Sequence, residues 1–267
     1  MLKNIYISFC VGVWLLAAAG CSDFTKVQKS TDYEYKYKKA LEYYEAKQYS
    51  HAADLLGSMI ALYRGTSRAD DIYYFYARSQ FEEQFYKEAG QYFLMLVREF
   101  PMSDYSEESQ FMVGYCAYKE SPNARLDQSA TNHAIDALVL YVNLYPDGVK
   151  VEEANKLVAE MRDKLVYKSF LNGKLYYDMG NYRAATIALA NSLKAYPDTK
   201  YREQLSFWLL DAKYNLAVYS TPDKKELRMN DALDETYSFL DEFTESKHRR
   251  DAEKFQQNII KFLNYEK

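Results

Sequence analysis

Proline and glycine are scarce in this sequence. Only five of its 267 residues are proline and nine are glycine. A β-sandwich or barrel needs a turn every ten residues or so, and phosphate-binding enzymes need glycine-rich loops, so both classes are poor fits. The scarcity therefore favours long helices joined by short turns.

Histidine and cysteine are also rare, with three of each. His51, His133 and His248 form no zinc-binding pair, and the sequence has no nucleophile elbow, Walker loop or dinucleotide fingerprint. We therefore predict no catalytic residue, no metal site and no cofactor. His51 and His133 are expected to pack or to cap a helix, and Cys116 to be a small buried hydrophobe. An acid-base pair inside an insertion remains the enzymatic alternative.

Aromatic residues are plentiful, with 28 tyrosines and 14 phenylalanines. Apolar residues make up 48% of the chain and charged residues 27%, which is enough to bury a core. The mean hydropathy of -0.49 indicates that the apolar residues are spread along one face of each helix.

The first 20 residues are typical of a lipoprotein signal peptide. Lys3 precedes an apolar run that is too short to span a membrane, and the run ends in Ala19, Gly20 and Cys21. This ending resembles a bacterial lipobox, although Ala18 stands where leucine is usual. The resemblance implies a diacylglyceryl thioether and an N-acyl chain on Cys21 as a membrane anchor. A plain signal peptide with an incidental cysteine is the alternative.

Charge and the residues after Cys21 bear on partners and location. Cleavage removes one lysine and no acid, so the net charge goes from -4 to -5, and a nucleic-acid partner is not expected. No aspartate follows Cys21 directly, and no run of acids suggests surface export. We expect an outer-membrane anchor with the protein facing the periplasm.

The chain after residue 31 contains a repeated pattern of small residues. An alanine or glycine in one predicted helix is followed by an alanine 12 residues later, as at Ala40 and Ala52, or 20 residues later, as at Gly114 and Ala134. These offsets are typical of the tetratricopeptide repeat, a helix-turn-helix of about 34 residues whose two helices pack closely. The longer spacing predicts an insertion between the helices at about 119–128 and again at 219–228.

The sequence thus predicts an all-α tetratricopeptide-repeat solenoid of five repeats with a C-terminal capping helix. The predicted parts are a signal peptide (1–20), a lipidated linker (21–31), repeats one to three (32–146), and repeats four and five with the cap (147–267). Pro101, Pro146 and Pro197 are expected to end second helices. The fourth repeat should begin with a long helix from Val149 to Met179.

One set of residues in the first two repeats is a candidate peptide-binding groove. Most tyrosines fall at packing positions, but other positions of the first helices line the concave face of such arrays. The set combines apolar area, hydroxyls and a guanidinium, which suits extended peptides with aromatic residues. It consists of Tyr37, Leu41, Tyr44, Tyr74, Arg78 and Phe81. A purely structural role for the tyrosines remains open.

The whole resembles the D-lipoprotein (BamD) family of the outer-membrane β-barrel assembly (BAM) complex. The resemblance covers nearly the whole mature chain, and its more specific parts are Arg125-Leu126-Asp127-Gln128, the segment 163–182, and Tyr196-Pro197-Asp198-Thr199. Tyr63-Arg64 departs from the usual Tyr-Pro and Ser169 replaces a common glutamate, while Tyr201-Arg202-Glu203 and the second insertion look like a Bacteroidetes-type variant.

The resemblance implies a non-enzymatic scaffold. Its C-terminal repeats would bind the periplasmic domains of the barrel-forming subunit. Its N-terminal groove would receive the signal strand of unfolded outer-membrane proteins, with Arg78 a candidate partner for the strand's terminal carboxylate. A different lipid-anchored tetratricopeptide adaptor, serving cell-wall synthesis or envelope transport, is the alternative.

Overall fold

The computed structural model describes residues 24–265, and every regular element in that range is an α-helix. Cys21 and the signal peptide lie outside the described residues. The helices are α1 (24–29), α2 (Tyr33–Glu45), α3 (Tyr49–Gly57), α4 (Ile60–Tyr63), α5 (Ala69–Glu82), α6 (Tyr86–Glu99), α7 (Ser106–Glu120), α8 (Ser129–Leu144), α9 (Val151–Asp178), α10 (Tyr182–Ala195), α11 (Arg202–Val218), α12 (Pro222–Glu242) and α13 (Arg249–Tyr265). The predicted all-α repeat fold is confirmed.

The prolines stop helices where the sequence predicts. Helices α6, α8 and α10 end two residues before Pro101, Pro146 and Pro197. Proline lacks an amide hydrogen and keeps the preceding residue out of the helical region, so it fixes the stop. The long helix α9 begins at Val151 and ends at Asp178, within two residues of its predicted ends.

Close helix packing explains the small residues. Ten alanines and glycines recur at the spacings of 12 or 20 residues, and all of them are buried: Ala40, Ala52, Ala77, Ala89, Gly114, Ala134, Gly173, Ala185, Ala212 and Ala232. At Gly114 a Cβ would lie 2.6 Å from Cγ of Leu138, and at Gly173 it would lie 2.7 Å from Cδ2 of Leu189. A larger residue would hold these helix axes apart.

Three of the turns within helix pairs share one backbone geometry. Lys47, Gln84 and Gly180 each have a positive φ of 58°, 66° and 68°, directly after helices α2, α5 and α9. The following amide donates to a carbonyl five residues earlier, as from Gln48 to Tyr43 and from Phe85 to Gln80. This is the Schellman ending of a helix, repeated in successive units of the chain.

The two insertions differ from each other. The first is a loop, because α7 ends at Glu120 and α8 begins at Ser129. The prediction of a second insertion between helices at 219–228 is wrong: α11 runs to Val218, and α12 already starts at Pro222. The extra residues lengthen the two helices, which Pro222 permits because the first helical position needs no amide donor.

The chain divides into two compact units. Unit 1 comprises residues up to Pro122 together with 127–160, and unit 2 comprises 123–126 together with 161–267. In unit 1 the core of the first repeats contains Val27, Leu55, Leu56, Met59 and Ile72. The division between the units falls inside α9, after residue 160. The sequence-based ranges divide the chain before α9, after residue 146. Those ranges describe how the repeats are grouped, and they stay a prediction.

Unit 2 ends in the predicted capping helix. Ile259 of α13 is fully buried against Ala217, Met229 and Ala232, and Phe255, Phe262 and Leu263 pack around the same cluster. The helix runs from Arg249 to Tyr265. Its apolar stripe covers the last repeat, which an array of stacked repeats requires at its end.

Candidate functional site

The first helices of unit 1 run parallel and in register. Glu34 accepts a hydrogen bond from Arg68, and the Tyr37 hydroxyl donates to Oδ2 of Asp71 at 3.3 Å. Both pairs join α2 to α5 at a separation of 34 residues, which is one repeat. We call the surface that these helices share, carrying Tyr37, Tyr44, Tyr74, Arg78 and Phe81, the first-helix face.

The same spacing continues from α5 to α7. The Tyr74 hydroxyl donates to Oε2 of Glu108 at 2.7 Å, and the rings of Phe81 and Tyr115 lie 5.6 Å apart, again 34 residues away. Glu108 lies in the first turn of α7, as Asp71 does in α5, where the helix dipole favours a carboxylate. The first-helix face is therefore tied from repeat to repeat by tyrosine and carboxylate.

Tyr105 connects two of the predicted groove residues. Its ring stacks on that of Tyr74 with centroids 4.2 Å apart, and burial followed by the charge of Asp71 raises the pKa of Tyr105 to about 12. Burial and the same carboxylate raise the pKa of Tyr37 well above its usual value. Tyr37 and Tyr105 thus place two neutral hydroxyls at Asp71, and the stacked ring of Tyr105 links this pair to Tyr74.

Arg78 is already surrounded by carboxylates. Its guanidinium lies 3.2 Å from Oε1 of Glu108 and 3.5 Å from Oε1 of Glu82, and the Tyr44 hydroxyl interacts with it as well. Its Nε is buried without a hydrogen-bond partner. The two acids outweigh the single cation, so an incoming carboxylate would have to displace Glu82, which is the acid farther from the guanidinium.

The remaining predicted residues lie at the edges of this cluster. Phe81 packs on Tyr86 and Tyr115, with ring centroids 5.2 and 5.6 Å away. Tyr44 packs edge-on against Phe75 at 5.1 Å. Leu41 is half-buried on α2, and Tyr74 is buried. The structure brings Tyr44, Tyr74 and Arg78 into one network and Tyr37 into the adjoining one.

Sequence reasoning missed the acids and the tyrosine that complete the face: Asp71, Tyr105 and Glu108. A search for tyrosine and acid 34 residues apart would have found both acids, since Tyr37 is followed by Asp71 and Tyr74 by Glu108 at that distance.

Unit 2 carries one pair of the same kind. The Tyr177 hydroxyl of α9 donates to Asp211 of α11, 34 residues on, and the Tyr177 ring stacks on Trp208 at 5.6 Å. Burial raises the pKa of Asp211, although hydrogen bonds from Tyr177 and Asn215 oppose the rise. Among the residues that the structure describes, no cation pairs with this carboxylate, whereas Arg78 pairs with Glu108.

A cleft of about 560 Å³ lies in unit 2, between α9 and the segment 123–126. Lys168 holds this segment against the helix by donating from Nζ to the carbonyl of Leu126 at 2.6 Å. Tyr167, Phe170 and Leu175 supply apolar walls, and Arg125 lies at the cleft. The Arg125-Leu126 pair singled out in the sequence therefore forms part of a concave, mixed apolar and basic surface.

Chemistry-bearing residues do not gather elsewhere in the part of the chain that the structure describes. No cluster of histidine, cysteine or acid residues there could hold a metal ion. Burial raises the pKa of Cys116 to about 12, so its thiol is a packing group. His51 stacks on Phe24 at 4.1 Å, and His248 stacks on Phe207 at 4.0 Å. No helix between residues 24 and 265 is long and apolar enough to cross a membrane.

Comparison with known proteins identifies the family. Among curated proteins, no sequence matches this chain. The model of the YfiO family, described as outer membrane lipoprotein, matches residues 29–227, about three quarters of the chain, from the end of α1 into α12. The chain therefore belongs to the YfiO family of outer membrane lipoproteins.

Proposed function

We propose that this protein is a non-enzymatic scaffold of outer-membrane β-barrel assembly, anchored by lipid on Cys21 and facing the periplasm. Family membership supports the assignment as an outer-membrane lipoprotein. The sequence resemblance supports the role in β-barrel assembly. The observation that carries the proposal is the first-helix face of unit 1, where aromatic rings and polar groups are linked from one repeat to the next. The Bacteroidetes-type variant remains a prediction.

The first-helix face is the proposed site for the signal strand of unfolded outer-membrane proteins. Tyr37, Tyr44 and Phe81 are each half-buried, so their rings offer apolar area while remaining accessible. Glu82 and Glu108 accept hydrogen bonds, and an extended strand brings backbone N–H donors. The face therefore suits a strand with aromatic side chains and free main-chain donors.

A role for Arg78 in holding a terminal carboxylate requires an exchange of partners. Glu82 is the weaker partner by distance, at 3.5 Å against 3.2 Å for Glu108. We expect Glu82→Gln to tighten binding of a peptide with a free C-terminus and to leave its amidated form unchanged. Equal effects on both peptides in a fluorescence titration would assign Arg78 to structure alone.

Photocrosslinking tests the proposed strand site. A photoreactive phenylalanine at position 37 or 81 replaces an aromatic side chain that is half-buried, so a ring is kept at each position. We expect both positions to capture nascent barrel proteins in growing cells. Met102, which is 93% exposed in unit 1, gives the matched control. Capture at position 102 or only in unit 2 would contradict the proposal.

The barrel-forming subunit is the proposed partner of the C-terminal repeats. The support is the cleft beside Arg125 together with exposed apolar side chains of unit 2, namely Leu175, Met179 and Tyr219. Apolar walls beside a cation, as at Leu175 and Arg125, are typical of a protein contact. Co-purification from detergent-solubilised outer membranes should yield the barrel-forming subunit as the dominant partner.

The same co-purification discriminates the alternative. A lipid-anchored adaptor for cell-wall synthesis or envelope transport would bring down synthases or transport components instead. The variant Arg125→Glu with Leu175→Asp should lose the partner of the C-terminal repeats while keeping capture at position 37. Loss of both activities would show misfolding, which circular dichroism of the variant checks.

A further inference from the structure

The chain enters its first repeat almost directly from Cys21. Phe24 follows Cys21 by three residues, and its ring stacks on His51 at 4.1 Å and meets Tyr43 edge-on at 5.7 Å. Val27, one turn later, is 3% exposed within the core of the repeat. Three residues span about 11 Å at most, so a lipid on Cys21 cannot lie farther than that from packed structure.

Phe24 contacts a particular edge of unit 1. Tyr43 lies in the last turn of α2 and His51 in the first turn of α3, so the contact is beside the turn 46–48. Helices α2 and α5 run parallel in register, as the pairs Tyr37 to Asp71 and Glu34 to Arg68 require. Their ends therefore lie on the same side, and the turn 83–85 shares this edge.

The edge carries groups that suit a lipid surface. Phe85 is 56% exposed at the second turn, and Lys47 and Lys87 are exposed beside the two turns. An accessible phenylalanine flanked by lysines is a common combination at a membrane surface, where the ring enters the interface and the amines meet phosphates. Glu45 and Glu83 also lie here, so we expect the tether to decide the contact and charge to add little.

We propose that the edge formed by the turns 46–48 and 83–85 faces the lipid bilayer, with Phe85 in contact with the interface. The inference rests on the proposed lipid anchor at Cys21. It adds a fixed orientation of the first two repeats, because a tether this short allows the edge little distance from the lipid. The opposite edge, where Met102 is exposed, would face away.

Tryptophan fluorescence in vesicles tests the orientation. Trp208 is the one tryptophan of the mature chain and supplies a common baseline. Phe85→Trp and Met102→Trp, both at exposed positions of unit 1, are produced with their own signal peptide and reconstituted into phosphatidylcholine vesicles. Part of the lipid carries a nitroxide near the glycerol end of its acyl chain. Helix α6 separates the two positions by about 21 Å, well beyond the reach of contact quenching.

We expect the nitroxide lipid to quench the fluorescence of the tryptophan added at position 85. The fluorescence of the tryptophan added at position 102 should be unchanged. A flexible insertion of about 12 glycine and serine residues between Ser22 and Asp23, with a mean span of about 20 Å, should restore the fluorescence at position 85. Equal quenching at both positions, or none at either in membrane-bound protein, would overturn the orientation.

Mass spectrometry of the N-terminal peptide separates the two proposals. Lipidated, vesicle-bound protein with the wrong quenching pattern contradicts only the orientation. Protein without lipid that stays in the aqueous phase contradicts the anchor and, with it, the orientation.

Discussion

The two units use the same repeat position in different ways. In unit 1, Tyr74 donates to Glu108, and Arg78 neutralises that carboxylate from the same face. In unit 2, Tyr177 donates to Asp211, and the neighbouring donor is the neutral Asn215. The comparison shows that the tyrosine-acid pair occurs in both units. The pairing of the acid with a cation, Arg78, belongs to the first-helix face of unit 1.

Glycine at a helix crossing should distinguish the units most strongly. A Cβ at Gly114 would meet Leu138 at 2.6 Å and also its backbone nitrogen at 3.0 Å, whereas at Gly173 the near contact is the methyl end of Leu189. We expect Gly114→Ala to lower the free energy of unfolding by about 2 kcal/mol, because overpacking outweighs the helix propensity of alanine. Gly173→Ala should change it by less than about 1 kcal/mol. Urea denaturation measures both, and equal losses would contradict the difference in packing.

Removal of a hydroxyl tests the tyrosine-acid pairs. Tyr177→Phe should lower the free energy of unfolding by about 1 to 2 kcal/mol, since it leaves the partly buried Asp211 with fewer donors. Tyr74→Phe should cost less, because Arg78 continues to pair with Glu108. The double variant Tyr177→Phe with Asp211→Asn should recover part of the loss in unit 2. A larger cost at Tyr74 than at Tyr177 would refute the assigned role of the cation.

The turns with a positive φ allow opposite substitutions to be compared in the two units. Gln84 in unit 1 has a φ of 66°, where a side chain is strained, and Gly180 in unit 2 has a φ of 68°. We expect Gln84→Gly to raise the free energy of unfolding by about 0.5 to 1 kcal/mol and Gly180→Ala to lower it by about 1 kcal/mol. Thermal denaturation of the two variants checks this, and shifts of the same sign would count against the strain at Gln84.

Acid should weaken unit 2 through His248. Burial, and then the charge of Lys247, lower the pKa of His248 below 6.5, although Glu203 and Asp251 oppose the shift. The unfolded chain therefore binds a proton at a higher pH than the folded one, so stability is lost as pH falls through 6.5 toward the folded pKa. Wild-type protein should lose more in Tm between pH 7.5 and 5.5 than His248→Phe, which keeps a ring against Phe207. An equal loss in both would assign the acid sensitivity to other groups.

The sequence predicted the parts of the fold that depend on local geometry. Pro101 and the buried Ala40 act as expected, because a helix stop and a close crossing each demand a particular residue type. The second insertion was misplaced because a count of residues between Ala212 and Ala232 cannot distinguish a loop from longer helices. The contacts among the candidate groove residues were less predictable, because the bonds of Asp71 and Glu108 depend on the register between neighbouring repeats. The peptide-binding role of Tyr37, Leu41, Tyr44, Tyr74, Arg78 and Phe81 stays a prediction.

The separation of 34 residues also has a mechanical meaning. The bonds from Tyr37 to Asp71 and from Tyr74 to Glu108 each join the first helix of one repeat to the first helix of the next. Under a pulling force applied at the N-terminal end of unit 1, the first repeat has a neighbour on one side only, so its bonds to the second repeat should break while those between the second and third repeats still hold. Unit 1 should therefore lengthen in steps of one repeat, and each rupture would leave the next carboxylate still bound.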